Sequence, residues 1–334
     1  MSDIPYEFYA ELKHNKLRRA EWHDYHSRCF YLITLMKNSS SSVPLFSKLI
    51  IKGKEIATDF SWAGWGIYNG IEKFKRNSII VKIRRYVIMP DHVHIIIEVT
   101  ERIEQPLGYY IGLLKQQCTL GFQSKSKVFG LIEESVFSEG FNDRILLQYG
   151  QLENWTNYVL DNPRRLWLMR STPEFFSKTS IVNSDKFPSQ LWLPEHKPLI
   201  QLYGNRLLLQ YPELCVVKFS HKFSAEEWQK KKKEALRVAK NGGVLVSPFI
   251  HKEEKAILEE GMLLGAKVIK VIYDGFLDRA KPQGADFCHC AEGRMLLAAM
   301  NSGVYTQTRI CRDLCRRMND LASWIAKNPE ELLR

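Results

Sequence analysis

The hydrophobic and polar positions of the first half of the chain alternate in short apolar runs that are followed by longer periodic stretches. Residues 28–36 (RCFYLITLM), 78–89 (SIIVKIRRYVIM) and 92–99 (HVHIIIEV) predict strands, because β-branched and aromatic residues dominate them. Residues 107–120 predict a helix, and a second helix is expected from 151 to about 162. We expect that helix to end there because Pro163 disfavours helical geometry in the preceding residue. These elements predict an α+β domain with the helices packed on one side.

The second half of the chain alternates strand and helix patterns in regular order. Strands are predicted over 214–220, 242–249 and 267–275, and the intervening segments 225–240 and 252–265 predict helices. A strand that is followed by a helix and another strand is typical of a parallel sheet. We therefore expect a smaller α/β domain with a parallel sheet here.

A segment rich in Ser, Thr and Pro without clear periodicity lies between these two patterns. We interpret residues 173–200 as a linker or an irregular connection. The predicted organisation is a first domain over 1–172 and an accessory α/β domain over 201–334.

Composition narrows the class of protein. The 334 residues are 45% hydrophobic and 25% charged, which is typical of a soluble globular protein. No apolar run is long enough to cross a bilayer and the first residues lack the apolar centre of a signal peptide, so we expect a cytoplasmic protein without a membrane partner. Seven cysteines then indicate free thiols. A net charge of +11 favours a polyanionic partner.

Two histidines interrupt the apolar strand at 92–99. His92 and His94 are two residues apart, so their side chains project from the same face of the strand, about 6.6 Å from each other. Two imidazoles at that spacing are able to converge on one metal ion. The alternative is a pair of histidines on a half-exposed strand face, which for an isolated His-x-His motif is the more common case.

A tyrosine and an asparagine share one face of the helix at 151–162. Tyr158 and Asn162 are four residues apart, so their Cβ atoms lie about 5 to 6 Å from each other. They would present a phenol and an amide oxygen together. The alternative is that Tyr158 packs beside Trp155 and that Asn162 is an ordinary helix-terminal residue.

In combination, these motifs resemble a known family. The motifs MPDHVHIII, LGYYIGLLKQQCT, GFNDRIL and YVLDNP occur in the order and rough spacing found in single-tyrosine HUH transposases, particularly the REP-associated tyrosine transposases. The resemblance covers about residues 20 to 170 and implies an HUH-type antiparallel sheet. One departure is Asp91, where many relatives have Asn.

The resemblance also implies a chemistry. His92, His94 and Asn162 would hold a divalent ion, Mg²⁺ or Mn²⁺, and Tyr158 would be the catalytic nucleophile that forms a 5′-phosphotyrosine. The implied substrate is single-stranded or hairpin-forming DNA. A homodimer is a possible assembly.

Basic side chains near these motifs are candidates for contacts with the DNA backbone. Lys115 matches a lysine that is common in the family. The candidate DNA-binding residues are Lys115, Arg84, Arg85, Arg144, Arg164 and Arg165. The alternative for some of them is a solvated strand edge that is protected from aggregation by its charges. The lysine run at 230–233 is interpreted as the solvated face of a helix.

The C-terminal half faintly resembles the Rossmann-like core of the DNA-processing protein A family. Its segment GGVLVSP, at 242–248, could cradle a phosphate at the start of the next helix, although the expected glycine-rich turn upstream is missing. The motifs CHC (288–290) and CRDLC (311–315) lack the C-x2-C spacing of a zinc site, which favours free thiols. We leave the ligand of this domain open.

Three other functions remain open besides a tyrosine transposase. A replication initiator or relaxase would share the HUH chemistry. A domesticated DNA-binding protein would keep the fold without the reaction. A His-x-His metallohydrolase would need no tyrosine and would form no covalent adduct with DNA.

Overall fold

A computed structural model describes residues 19–126, 135–148, 150–181, 187–188, 191, 199–220, 222–273, 275–276, 281–300 and 311–333. The chain divides into two compact units, Met1–Trp167 and Leu168–Arg334. Within the described ranges, no helix has the length and apolar character that a membrane span requires.

The first unit is built on a four-stranded antiparallel sheet in the order β4-β5-β1-β6. Its strands are β1 (Cys29–Met36), β4 (Val81–Ile88), β5 (His92–Val99) and β6 (Asn142–Ile145). A separate hairpin is formed by β2 (Ser47–Lys52) and β3 (Glu55–Phe60). The predicted α+β class with an antiparallel sheet is confirmed.

Helices cover both faces of this sheet. On one face, Ile33, Ile95 and Ile97 belong to a core that also includes residues of α1 (Trp62–Asn77) and α2 (Leu107–Ser126). On the other face, Leu32 and Ile96 pack with Trp155 and Val159 of α3 (Gln151–Ser171). The expectation that all helices pack on one side was wrong, because the alternate residues of β1 and β5 are apolar on both faces and each face needs a cover.

Glycines lie at the contact between helices α1 and α2 and let the two backbones approach closely. A Cβ atom on Gly70 would lie 2.4 Å from the Cα atom of Cys118, and one on Gly121 would lie 2.2 Å from the carbonyl oxygen of Gly66. No larger residue fits at these points without separating the helices.

Helix α3 does not end at Asn162, as we expected from Pro163, but continues to Ser171. A proline inside a helix removes one backbone hydrogen bond and costs about 3 kcal/mol. Asn162 and Pro163 are both buried, and this packing offsets part of that cost at the proline itself. The local preference of the residue before proline is therefore outweighed by tertiary packing.

The second unit contains a six-stranded sheet in the order β7-β8-β12-β11-β10-β9. The last four strands are parallel, whereas β8 and β7 are antiparallel additions. The strands are β7 (Lys178–Ile181), β8 (Ile200–Gly204), β9 (Leu214–Val216), β10 (Val244–Ser247), β11 (Lys267–Ile272) and β12 (Met295–Met300). The helices are α4 (Ala225–Lys240), α5 (Lys252–Leu263), α6 (Gly284–Ala291) and α7 (Arg312–Lys327). The predicted Rossmann-like α/β character is confirmed.

Part of the segment that we interpreted as a linker is ordered. Pro173–Phe176 forms a 3-10 helix, and Lys178–Ile181 pairs with β8. The interpretation of 173–200 as an irregular connection is therefore wrong for residues 173–181. A short edge strand with polar residues at alternate positions has the same composition as a loop, so its pairing partner decides its structure.

Candidate active site

His92 and His94 lie together on the central strand β5. A turn places Asp91 before the strand, and the backbone N–H of Met89 donates to the carbonyl of His92 at 2.9 Å. Because side chains alternate along a strand, both imidazoles face α3, and their ring centroids are 4.6 Å apart. His94 is buried and His92 is half-buried. The structure thus brings together the pair that the sequence singled out.

One nitrogen of each imidazole is held by a neighbouring side chain. The Nδ1–H of His92 donates to the Asp91 carboxylate over 2.7 Å. The Nδ1 atom of His94 shares a hydrogen bond of 2.9 Å with the Thr34 hydroxyl, which lies directly opposite on β1. These contacts orient both rings, as the outer partners of metal-binding histidines commonly do. Sequence reasoning missed Thr34, because only the strand register reveals it.

Helix α3 carries Tyr158 and Asn162 to the same face of the sheet. The Tyr158 ring centroid lies 5.6 Å from that of His94, and 37% of the tyrosine remains exposed. Asn162 is buried, and its Nδ2 donates to the Tyr158 carbonyl at 2.7 Å. That hydrogen bond uses the amide nitrogen and leaves the amide oxygen, which is the atom that a metal ion would take, outside the bond.

The donor set suits a hard or borderline divalent ion. Two imidazoles and an amide oxygen are compatible with Mg²⁺ or Mn²⁺, and they include no thiolate that would select a softer ion. The Nδ1 contacts mean that an ion would be bound through Nε2 of each histidine. No cluster of three or more His, Cys, Asp or Glu side chains suited to a metal ion occurs in the described part of the chain. All seven cysteines are free thiols.

Three of the candidate arginines lie on the outer surface near this site. The Arg165 guanidinium lies 5.5 Å from the Tyr158 ring centroid. Arg85 on β4 is opposite Ile96, and Arg144 on β6 is opposite Leu32, so both lie on the site face of the sheet. Both side chains are exposed. These positions are compatible with contacts to a phosphate backbone.

The other three candidates form ion pairs or hydrogen bonds that give them a structural part in the protein. Arg84 forms an ion pair with the buried Glu98, and Arg164 pairs with Asp161 at 2.5 Å. The Lys115 ammonium donates to the carbonyls of Ser138 and Gly140 at 2.7 and 3.2 Å, and burial lowers its pKa. Lys115 and Arg84 therefore have structural roles here that their sequence context did not indicate.

The helix start that follows GGVLVSP holds a carboxylate of the protein itself. Glu254, which is buried at the start of α5, accepts backbone N–H groups from Phe219 at 2.8 Å, Ile250 at 2.9 Å and His251 at 3.2 Å. These are the donors that an anion at this helix start would need. Glu254 thus takes backbone donors that a phosphate at this helix start would use.

Comparison with known proteins gives structural neighbours for both halves. No protein-family model and no curated protein matches the chain. A REP-associated tyrosine transposase bound to a REP hairpin is 16% identical over 44% of this chain and 74% of its own, with a TM-score of 0.31.

Two solved structures of DNA processing protein A are also similar. The protein from Helicobacter pylori, described with a single-stranded DNA binding mode, is 17% identical over 45% of this chain and 66% of its own, with a TM-score of 0.30. The protein from Streptococcus pneumoniae is 19% identical over 66% of this chain and 64% of its own, with a TM-score of 0.28. Both families that the sequence resembles are thus found among the structural neighbours of the chain, as partial likenesses of fold.

Proposed function

We propose that the protein is a metal-dependent, single-strand DNA endonuclease and transposase that cleaves and rejoins DNA through a 5′-phosphotyrosine. The observation that carries this proposal is the meeting of Tyr158 with the two histidines. The phenol lies beside His94, and Asn162 lies one helical turn further along the same helix. A nucleophile and three metal-ligand candidates therefore converge from two elements, α3 and β5.

Each group has a defined part in the reaction. The Tyr158 oxygen attacks the scissile phosphorus and loses its proton to solvent, an O–P bond forms, and the bond to the 3′ oxygen breaks. That oxygen takes up a proton and becomes a free 3′-hydroxyl, while the 5′ phosphate stays on the phenol. A Mg²⁺ or Mn²⁺ ion held by His92, His94 and Asn162 would supply stabilisation for the charge that develops on the phosphate. Because the phosphotyrosine is itself a phosphodiester, it conserves the energy of the broken DNA linkage. A 3′-hydroxyl is therefore able to attack it and rejoin the DNA strand.

The basic surface near Tyr158 supports DNA as the substrate. Arg165 lies against the tyrosine ring, and Arg85 and Arg144 are exposed on the same face of the sheet. Tyr158 is 37% exposed, so the backbone of a flexible single-stranded DNA is able to approach its phenol at the surface of α3. The hairpin-forming end is inferred from the family resemblance.

The test uses Tyr158→Phe and a matched control. A single-stranded hairpin substrate, labelled on the 3′ side of the cut, is incubated with Mn²⁺ and the wild-type protein and should give a denaturant-resistant protein–DNA band. Tyr158→Phe should abolish that band. Tyr109→Phe should not, because Tyr109 is exposed and has leucine, not asparagine, four residues later.

The other outcomes separate the competing functions. Cleavage without an adduct in the wild-type protein would contradict the proposal in favour of a metallohydrolase. DNA binding without cleavage would indicate a domesticated binding protein. Nicking with an adduct but without transfer to a second strand would favour an initiator or relaxase.

A further inference from the structure

Three polar side chains form a stripe along the helix that carries the proposed nucleophile. Tyr158, Asn162 and Arg165 occupy positions i, i+4 and i+7 of α3, so they lie on one face of the helix over two turns. Tyr158 and Asn162 already have parts in the proposed reaction. The stripe places Arg165 beside them.

The side chain of Arg165 runs back along α3 towards the nucleophile. The two residues are separated by about 10 Å along the helix axis. The guanidinium carbon of Arg165 nevertheless lies 5.5 Å from the ring centroid of Tyr158. Side chains of a helix lean towards its N-terminus, so a long arginine side chain is able to span this separation. The charged end of Arg165 is therefore held next to the phenol, and the residue is half-buried there.

The adjacent arginine is directed to a carboxylate instead. Arg164 donates through Nε and Nη2 to the two carboxylate oxygens of Asp161, at 2.5 and 2.9 Å. The charge of Arg164 is thereby offset by a residue of the same helix. Of these two consecutive arginines, Arg165 is the one whose guanidinium lies on the ring of the nucleophile.

A phosphate that is attacked by the phenol would come within reach of this guanidinium. In a near-attack geometry the phosphorus lies about 3–3.5 Å from the attacking oxygen. A guanidinium N–H donates to a phosphate oxygen over about 2.7–2.9 Å. A phosphate is therefore able to bridge the short space between the phenol oxygen of Tyr158 and the guanidinium of Arg165.

The proposed reaction needs positive charge at this point. The phosphodiester is an anion, and charge develops on its oxygens as the new O–P bond forms. Histidines that bind a metal ion are neutral, and Asn162 is an uncharged amide, so these three side chains bring no charge of their own. Arg165 supplies a fixed cation, and its planar fork of N–H donors matches the geometry of phosphate oxygens.

We infer that Arg165 is a catalytic residue, which donates to a non-bridging oxygen of the scissile phosphate and stabilises the charge that develops there. This inference rests on the proposed phosphotyrosine chemistry. The guanidinium keeps its protons throughout, and the bonds that form and break are those of the proposed reaction. The phosphotyrosine retains both non-bridging oxygens, so the same contact serves the step that rejoins the DNA.

Two other roles for Arg165 make different predictions. A contact to the DNA backbone alone would change the affinity for DNA but not the rate of the chemical step. A cation–π contact alone would position the Tyr158 ring, and its loss would slow the reaction whatever charge the phosphate carries.

The experiment measures the single-turnover rate of adduct formation by the full-length protein, with Mn²⁺ and a saturating concentration of protein over a single-stranded hairpin substrate. Arg165→Ala should lower this rate by about 10²- to 10³-fold, as the loss of one electrostatic contact to a transition state does. The affinity for DNA, measured by fluorescence anisotropy, should fall by about tenfold or less. Arg165→Lys keeps the charge without the fork and should have an intermediate rate.

Two further variants control for folding and for charge. Arg165→Met keeps most of the apolar stem and should lose the rate as Arg165→Ala does, with urea unfolding as the check that each variant is folded. The matched control Arg170→Ala removes an exposed arginine from the last turn of the same helix. It should leave both the rate and the affinity unchanged.

A second substrate separates catalysis from positioning of the ring. It carries an uncharged methylphosphonate at the scissile position, in which a methyl group replaces one non-bridging oxygen. The penalty of Arg165→Ala should shrink to less than about tenfold for at least one of the two diastereomers, because the group on which Arg165 acts is then missing in both proteins.

Each other outcome has a distinct meaning. An unchanged rate for Arg165→Ala, with an adduct in the wild-type protein, would overturn this inference and leave the proposed function standing. An equal penalty on both substrates would assign Arg165 to ring positioning, and a loss of affinity alone would assign it to the DNA backbone. A wild-type protein that forms no adduct would overturn the proposed function and this inference together.

Discussion

Arg84 and Arg85 are adjacent on β4, and the structure predicts opposite consequences when each is replaced by alanine. A bulge shifts the strand register between Ile83 and Arg85, so two consecutive arginines lie outside the core. Arg84 pairs with Glu98, whereas Arg85 is exposed and donates to the carbonyl of Arg84 at 3.1 Å. Arg84→Ala should lower stability, and Arg85→Ala should weaken DNA binding.

The magnitudes follow from the exposure of the two partners. The Glu98 side chain is 10% exposed and that of Arg84 is 48% exposed, so solvent screens part of their interaction. We expect Arg84→Ala to lower the free energy of unfolding by about 1–2 kcal/mol, less than the loss of a fully buried pair. Arg85→Ala should change stability by less than about 0.5 kcal/mol. Loss of one phosphate contact should reduce the slope of log K against log salt by about 0.7 for single-stranded DNA.

The assays are urea unfolding and a salt titration of binding to a single-stranded oligonucleotide. The double variant Arg84→Ala, Glu98→Ala should recover part of the stability, because the buried carboxylate is removed with its partner. A lower salt slope for Arg84→Ala with unchanged stability would refute the assignment of the two arginines. So would an unchanged slope for Arg85→Ala.

Three further predictions concern packing, metal affinity and pH. Gly70→Ala should lower the free energy of unfolding in the urea assay by about 1–3 kcal/mol, because its Cβ would overlap α2. Gly112→Ala has open space around the new Cβ, and it should raise the free energy of unfolding by about 0.5–1 kcal/mol. Asp91→Ala should weaken Mn²⁺ binding about 10- to 100-fold by calorimetry, and unchanged affinity would exclude its role in orienting His92. Burial lowers the pKa of His23 from 6.5, so near and below that pH the unfolded state binds more protons than the folded state. The free energy of unfolding should therefore fall as the pH drops below 6.5. His23→Gln should make this decline shallower, and an unchanged decline would contradict the role of His23 in it.

The elements that the sequence predicted well have a strong period and a buried face. The strands at His92–Val99 and Val81–Ile88 are rich in β-branched residues, and each has a buried apolar face, which leaves little choice of structure. The prediction that α3 ends at Asn162 was wrong because the local preference of the residue before Pro163 competes with the burial of Asn162 and Pro163, which only the folded chain provides. The edge strand Lys178–Ile181 was missed because its structure depends on pairing with β8, which lies outside the local sequence pattern.

The sequence predicts those parts of the candidate active site that depend on the spacing of residues within one strand or one helix. His92 and His94 share a face because of strand geometry, and Tyr158 and Asn162 do so because of helix geometry. The contact of His94 with Thr34 depends on the register of two strands that are sixty residues apart in sequence. No pattern within either strand contains that information.

The positions of the exposed arginines also restrict how a DNA strand could reach Tyr158. Arg85 and Arg144 lie in one row across the sheet, with Ile96 and Leu32 between them, so about 14 Å separates the two edge strands. The middle of that row is covered by α3, whose Trp155 and Val159 pack on Ile96 and Leu32. A DNA strand that contacts both arginines cannot follow the surface of the β-sheet and would have to cross the outer side of α3. Tyr158 is exposed on this helix, so the sheet arginines would hold the DNA on either side of the nucleophile.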